Sequence, residues 1–159
     1  MAGYVRSYRP GDERQLATCL RKADRMEIEA ASGARPVDVL RWSAERSAPA
    51  CSIIYEDRVV GMFGCVPDGT VWLLGADALV QPPLVRQFLR ECRRYVDALP
   101  YPLLHNLVDE RNTVHIRWLQ WMGFTFIGEP VLLGPHQLPF RKFVRIQPYV
   151  HGSTGRRSR

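Results

Sequence analysis

Among the four histidines of this 159-residue chain, His105 and His115 stand out because a neutral imidazole titrates near working pH and can move a proton. Each sits in an otherwise apolar segment, so a hydrogen-bonded residue at the edge of a core is the plainer reading and stays open beside it. Arg86, Arg90, Arg93 and Arg94 recur at i, i+4, i+7 and i+8. That spacing puts them on one helix face, able to meet phosphates of DNA, RNA or a phosphorylated cofactor. With Glu91 and Asp97 nearby, the stripe is equally an ordinary solvated face. Trp118 and Trp121, three residues apart, are expected to face the same cleft or core. The cysteines at 19, 51, 65 and 92 form no Cys-x-x-Cys pair and no His/Cys cluster of zinc spacing. No metal site is therefore expected, and the thiols read as free groups in a reducing compartment.

Positioning such groups takes a core, and the composition supplies one: 46% of the residues are hydrophobic and 24% charged, which fits one soluble globular domain over residues 1–148. Residues 149–159, Gly/Ser/Arg-rich, read as a flexible basic tail. Net charge is +6, but Arg156, Arg157 and Arg159 supply three of the positive charges, leaving 19 basic against 16 acidic residues. The domain is thus only mildly basic. No apolar run approaches the ~18 residues of a membrane span, and the first residues lack the apolar stretch of a signal peptide.

Residues 4–8 alternate as a strand does, and Arg9-Pro10-Gly11-Asp12 then turns into a helix start. Leu16, Cys19, Leu20 and Ala23 carry one long helix to about Ala31, where Ser32-Gly33 stops it. Pro36, Val37, Leu40 and Ala44 predict a second helix. Residues 51–55, 59–66 and 71–74 predict an antiparallel meander punctuated by Glu56-Asp57-Arg58 and Pro67-Asp68-Gly69. Pro82-Pro83 opens a strongly amphipathic helix to Leu99. Residues 103–108 predict a central strand, with Asp109 or Asn112 capping the helix over 113–122. Residues 124–127, 130–133 and 139–146 predict terminal strands. The fold class is α+β, layered α/β/α: a mixed, mostly antiparallel sheet of six to seven strands flanked by about four helices.

The stretch Asn112-Thr113-Val114-His115-Ile116-Arg117-Trp118-Leu119-Gln120-Trp121-Met122-Gly123-Phe124 resembles the Asn-x-x-Ala-Ile-x-x-Tyr-x-x-x-Gly-Phe segment of the GNAT acyl-CoA N-acyltransferase superfamily. The element order agrees over almost all of residues 3–147. More narrowly, residues 101–109 and 112–124, with 134–143 behind them, resemble a GNAT-like family of internal virion or virion-assembly proteins from short-tailed double-stranded-DNA phages. That resemblance implies a non-catalytic role with virion or assembly proteins as partners, in the host bacterial cytoplasm or packaged in the virion. The wider one implies, as an alternative, an acetyl-CoA-dependent N-acetyltransferase acting on an amine. A nucleic-acid-associated module, through Arg86, Arg90, Arg94 and the tail, is a third reading.

The superfamily resemblance also implies places for a site. Glu27 and Glu29 fall where GNAT enzymes hold the acceptor amine, and a carboxylate there could deprotonate it. Cofactor contacts would come from Leu74, Gly75, Leu84, Val85, Asn106 and Asn112. The chain departs from the family pattern twice. A glycine-rich loop should cradle the pyrophosphate, yet residues 76–85 contain no glycine and Pro82-Pro83 removes two N–H donors. A Tyr acting as general acid should stand seven residues after the Asn, where this chain has Leu119. Tyr95, Tyr101 and Cys92 are the remaining side chains able to take that role, and His105 remains a candidate general base. On this reading no cofactor is required, and acetyl-CoA is needed only if the chain is an enzyme.

Overall fold

A computed structural model describes residues 3–148; the basic residues at 156–159 lie outside them. The order is β1 (Tyr4–Ser7), α1 (Asp12–Ala17), α2 (Lys22–Ser32), α3 (Pro36–Arg46), β2 (Ala50–Tyr55), β3 (Arg58–Cys65), β4 (Val71–Gly75), a 3-10 turn (Asp77–Val80), α4 (Leu84–Ala98), β5 (Leu103–Asp109), α5 (Thr113–Trp121), β6 (Thr125–Leu133) and β7 (Leu138–Ile146). Seven strands form two antiparallel sheets, ordered β1-β2-β3-β4 and β5-β7-β6.

Three boundaries depart from the sequence expectation. The single helix expected from Arg14 to Ala31 is two helices, which makes five α-helices among the described residues. Between them the chain is pulled straight to cover the end of β4: Leu20 bridges Ala76, and the Arg21 N–H donates to the Gly75 carbonyl at 2.9 Å. This backbone pairing with another element thus overrides a local apolar period that runs through the break. The two strands expected over 124–127 and 130–133 are one, β6, with an irregular register against β7 between Ile127 and Val131. Gly128, at φ +71°, lies in that irregular stretch, where β6 bulges without ending. Asn112 stands at the start of α5 but makes no capping hydrogen bond there; its side chain is directed to Asp24, to which Nδ2 donates.

The β2–β3 hairpin turns on Glu56 (φ 49°) and Asp57 (φ 59°), two left-handed residues in succession. This backbone matches the right-handed twist of the strands, although neither residue favours it. The β6–β7 turn contains Gly134 at φ +73°, and a Cβ there would lie 1.7 Å from the Ala30 carbonyl oxygen. Only glycine lets this turn sit on the C-terminal end of α2.

The apolar face of α4, Leu84, Phe88, Cys92 and Val96, is buried. Phe88 meets Trp118 of α5 edge-on at 5.3 Å, and Tyr95 meets Phe63 of β3 at 4.8 Å. Edge-to-face pairs at such spacings add about 0.5–1.5 kcal/mol each beyond their buried area. At the other end, Arg6 of β1 makes two hydrogen bonds to Asp12 of α1, at 2.7 and 2.9 Å, and Asp12 also accepts from Ser52 of β2 at 2.7 Å. No helix among the described residues is long and apolar enough to cross a membrane.

Candidate functional site

The two sheets meet along β4 and β5, which run parallel but pair only at their starts. Thr70 bridges His105, the His105 N–H donates to the Gly69 carbonyl at 3.0 Å, and Asn106 Nδ2 donates to the Val71 carbonyl at 2.8 Å. Beyond that pinned end the strands separate, and a cleft of about 290 Å³ opens between them. Its walls are mainly apolar, with Trp72 and Leu74 from β4, Leu107 from β5, and Trp118 and Leu119 from α5. Glu27 and His115 supply polar groups on the same wall.

A buried network joins the elements around the cleft. Asp24 of α2 is fully buried. Its Oδ2 accepts from the Gly75 N–H at 2.8 Å, and its Oδ1 accepts from Asn112 Nδ2 at 3.0 Å and from Arg21 Nη1 at 3.3 Å. One carboxylate therefore holds the end of β4, the start of α5 and the chain before α2. One turn further along α2, Glu27 accepts the Asp109 N–H at 2.7 Å. Asp109 in turn takes the Arg111 guanidinium, with Nη2 at 2.7 Å.

The ionisation of these groups follows from that geometry. Burial pushes the Glu27 carboxyl up to about 8, with the charges of Asp24 and Asp109 adding to it, while the hydrogen bonds from Asp109 and Asn112 oppose it. Burial lowers His115, and the Arg21 charge adds to this against the pull of Asp24, so the imidazole is held neutral. Burial also opposes ionisation of Asp109, but its bonds to Arg111 outweigh this and hold it below the usual carboxylate range.

The residues singled out from the sequence fall into distinct places. Glu27, Leu74, Asn106, His115 and Leu119 line the cleft. Gly75 and Asn112 lie at its inner end, their N–H groups committed to Asp24. His105 is at the pinned end, with Nε2 3.2 Å from the Asp68 carbonyl oxygen, and Tyr101 packs against the core ahead of β5; neither lines the cleft. Leu84 is buried on another side of the molecule, against Gly3, and Val85 follows it half-buried. Cys92 lines the cleft, but burial raises its thiol well above the usual range. Tyr95 donates its hydroxyl to the Pro49 carbonyl at 2.9 Å.

The tryptophan pair divides, contrary to the expectation of one shared face. Trp118 is buried, whereas Trp121 is 45% exposed and packs under Arg93, whose guanidinium also donates to the Trp121 carbonyl at 2.8 Å. Of the arginine stripe, Arg93 is thus engaged and Arg94 pairs with Glu91 at 3.6 Å. Arg86 and Arg90 are exposed, with no ion pair among the described residues.

The turn expected to cradle phosphates offers few donors. In the first turn of α4 the Val85 N–H donates to Gln81 and the Arg86 N–H to Pro83, at 3.1 and 3.2 Å. Only Leu84 keeps an N–H without a backbone acceptor there. Sequence reasoning missed Asp24 and Arg21. The available signal was two i, i+3 pairs, Asp24/Glu27 and Asn112/His115, each on one helix face.

No family model and no curated protein matches the chain. Solved structures do. An acetyltransferase of the GNAT family from Streptococcus pneumoniae superposes with a TM-score of 0.62 at 14% identity, covering 92% of this chain and 99% of that one. Spermidine N-acetyltransferase from Vibrio cholerae, in complex with CoA and spermine, gives 0.64 at 12%, covering 91% and 95%. Ribosomal-protein-alanine N-acetyltransferase from Brucella melitensis gives 0.64 at 16%, covering 90% and 99%. The fold is that of the GNAT acetyltransferases, and at these identities the likeness is one of fold.

Proposed function

We propose that the chain is a GNAT-fold protein that has given up acyl transfer and serves in the interior or the assembly of a phage particle. The observation that carries the non-catalytic half is the first turn of α4, whose Val85 and Arg86 N–H groups are taken by Gln81 and Pro83 and whose preceding prolines have none to give. A pyrophosphate needs several converging backbone donors, and this turn has one left. Two further features agree. Leu119 lines the cleft where the family pattern places a proton donor, and the Gly75 N–H at the end of β4 is bound to Asp24. The assembly half rests on the resemblance carried by residues 101–109 and 112–124.

Calorimetric titration with acetyl-CoA and with coenzyme A tests the first half. No heat up to millimolar ligand is the expected result; a micromolar dissociation constant, about 8 kcal/mol of binding, overturns it. Mass spectrometry of purified particles of the encoding phage tests the second, and absence of the chain from both particles and assembly intermediates overturns that.

One observation favours N-acetyl transfer as a second reading. The cleft between β4 and β5 is open, and Glu27 stands on its wall as the carboxylate that an amine acceptor would meet. Micromolar acetyl-CoA binding followed by amine-dependent release of free thiol would establish it, and a silent titration removes it.

A further inference from the structure

Glu27 and His115 line the cleft, and with Asp24 each offers one potential ligand atom, the three lying within 4.8 Å of one another. His115 Nε2 is 3.3 Å from Asp24 Oδ1 but approaches in a direction unsuited to a hydrogen bond. It has no other partner among the described residues, although His115 is only 6% exposed. Asn112 Oδ1 is likewise unpartnered on a side chain that is 1% exposed. Two orphaned buried polar atoms of one cluster are costly unless something satisfies them. We propose that Asp24, Glu27 and His115 bind a divalent first-row transition-metal ion at the inner end of the cleft.

The donor chemistry selects the ion. One imidazole nitrogen and two carboxylates suit zinc, manganese, iron or cobalt, whereas magnesium and calcium prefer all-oxygen shells. The 3.3 Å between Asp24 Oδ1 and His115 Nε2 is the separation of two neighbouring ligands on a tetrahedral ion with bonds of about 2.1 Å. On such an ion any two ligands stand about 3.4 Å apart, so a pair at the full 4.8 Å closes by about 1.4 Å. A χ adjustment of Glu27, a long side chain on the cleft wall, supplies that. The long Arg21 contact to Asp24 at 3.3 Å yields as the ion takes the oxygen. Since Glu27 and His115 face the cleft, the remaining coordination position opens into it.

The test uses the untagged full chain after treatment with a chelator, titrated calorimetrically with zinc chloride, manganese chloride and magnesium chloride. Cobalt chloride in parallel reports coordination by its visible absorption. Expected are one equivalent of zinc at micromolar affinity or tighter, no magnesium binding, and a cobalt spectrum without a thiolate charge-transfer band. His115→Gln and Glu27→Gln should each weaken zinc at least tenfold while circular dichroism keeps the wild-type spectrum. Glu27 lies on the cleft wall, so its variant keeps the test decisive if His115→Gln fails to fold. No binding up to millimolar zinc overturns the proposal. So does binding that both variants leave unchanged, or a cobalt spectrum showing cysteine ligation.

Discussion

Asn112 stands at the start of α5, yet its side-chain amide donates to Asp24 of α2, 88 residues earlier, across 3.0 Å. A residue placed to cap its own helix instead ties that helix to another. With the Gly75 bond on the second oxygen, Asp24 joins the end of β4 to the start of α5.

Asp24→Ala is therefore expected to destabilise the fold by about 3–5 kcal/mol, because it strips partners from Arg21, Asn112 and the Gly75 N–H at once. Urea denaturation measures it. A loss below 1 kcal/mol would mean that the network contributes nothing to holding the strands.

Gly134 and Gly128 share a positive φ but differ in surroundings. Alanine at Gly128 meets nothing within 4 Å and should cost about 1 kcal/mol from backbone strain alone. At Gly134 the added methyl runs into the Ala30 carbonyl, so the cost should exceed that by at least twofold and the β6–β7 turn should lift from α2. Equal melting temperatures for the two variants would contradict this.

In the β2–β3 hairpin, Asn-Gly in place of Glu56-Asp57 suits the left-handed backbone better than the native pair. A gain of about 0.5–1 kcal/mol is expected on thermal melting. A loss would show that these side chains have a role beyond the turn.

The acid limb of stability should involve Asp12 and Glu13. Burial opposes ionisation of both, but hydrogen bonds from Arg6, the Arg9 N–H and Ser52 to Asp12 outweigh it. Those from Tyr8, the backbone N–H groups of residues 11 and 13, and Arg41 do the same for Glu13. Both carboxyls are thus held below their ordinary values of 3.8 and 4.5. The folded chain binds fewer protons than the unfolded one, so this stabilisation is whole above about pH 4.5 and is lost as pH falls through the depressed values. Asp12→Asn should flatten the fall in melting temperature below pH 4.5, and an unchanged slope would assign it to other groups.

Much of the fold is legible in the sequence because short-range patterns specify it. The 51–74 meander, the amphipathic α4 and the apolar run of β5 follow from period and punctuation alone. The break at residues 18–21 does not, since its cause is the edge of β4, more than fifty residues away. The site is harder still. Glu27 was reachable through the GNAT resemblance, but Asp24 acquires meaning only when Gly75, Asn112 and His115 arrive from β4 and α5. His115, read alone, looks like an ordinary core histidine. Its unmet nitrogen is a property of the assembled neighbourhood and not of any spacing along the chain.

The pinned seam between β4 and β5 bears on how the molecule breathes. Within each sheet the strands pair along much of their length, while the seam carries one bridge at Thr70 and His105, the His105 ring against the Asp68 carbonyl and one side-chain bond from Asn106. Parting it breaks few backbone bonds compared with unzipping β2 from β3. Hydrogen exchange should therefore divide into two tiers, with the His105 amide released in a cheaper, sub-global opening while the centre of β3 exchanges only with complete unfolding.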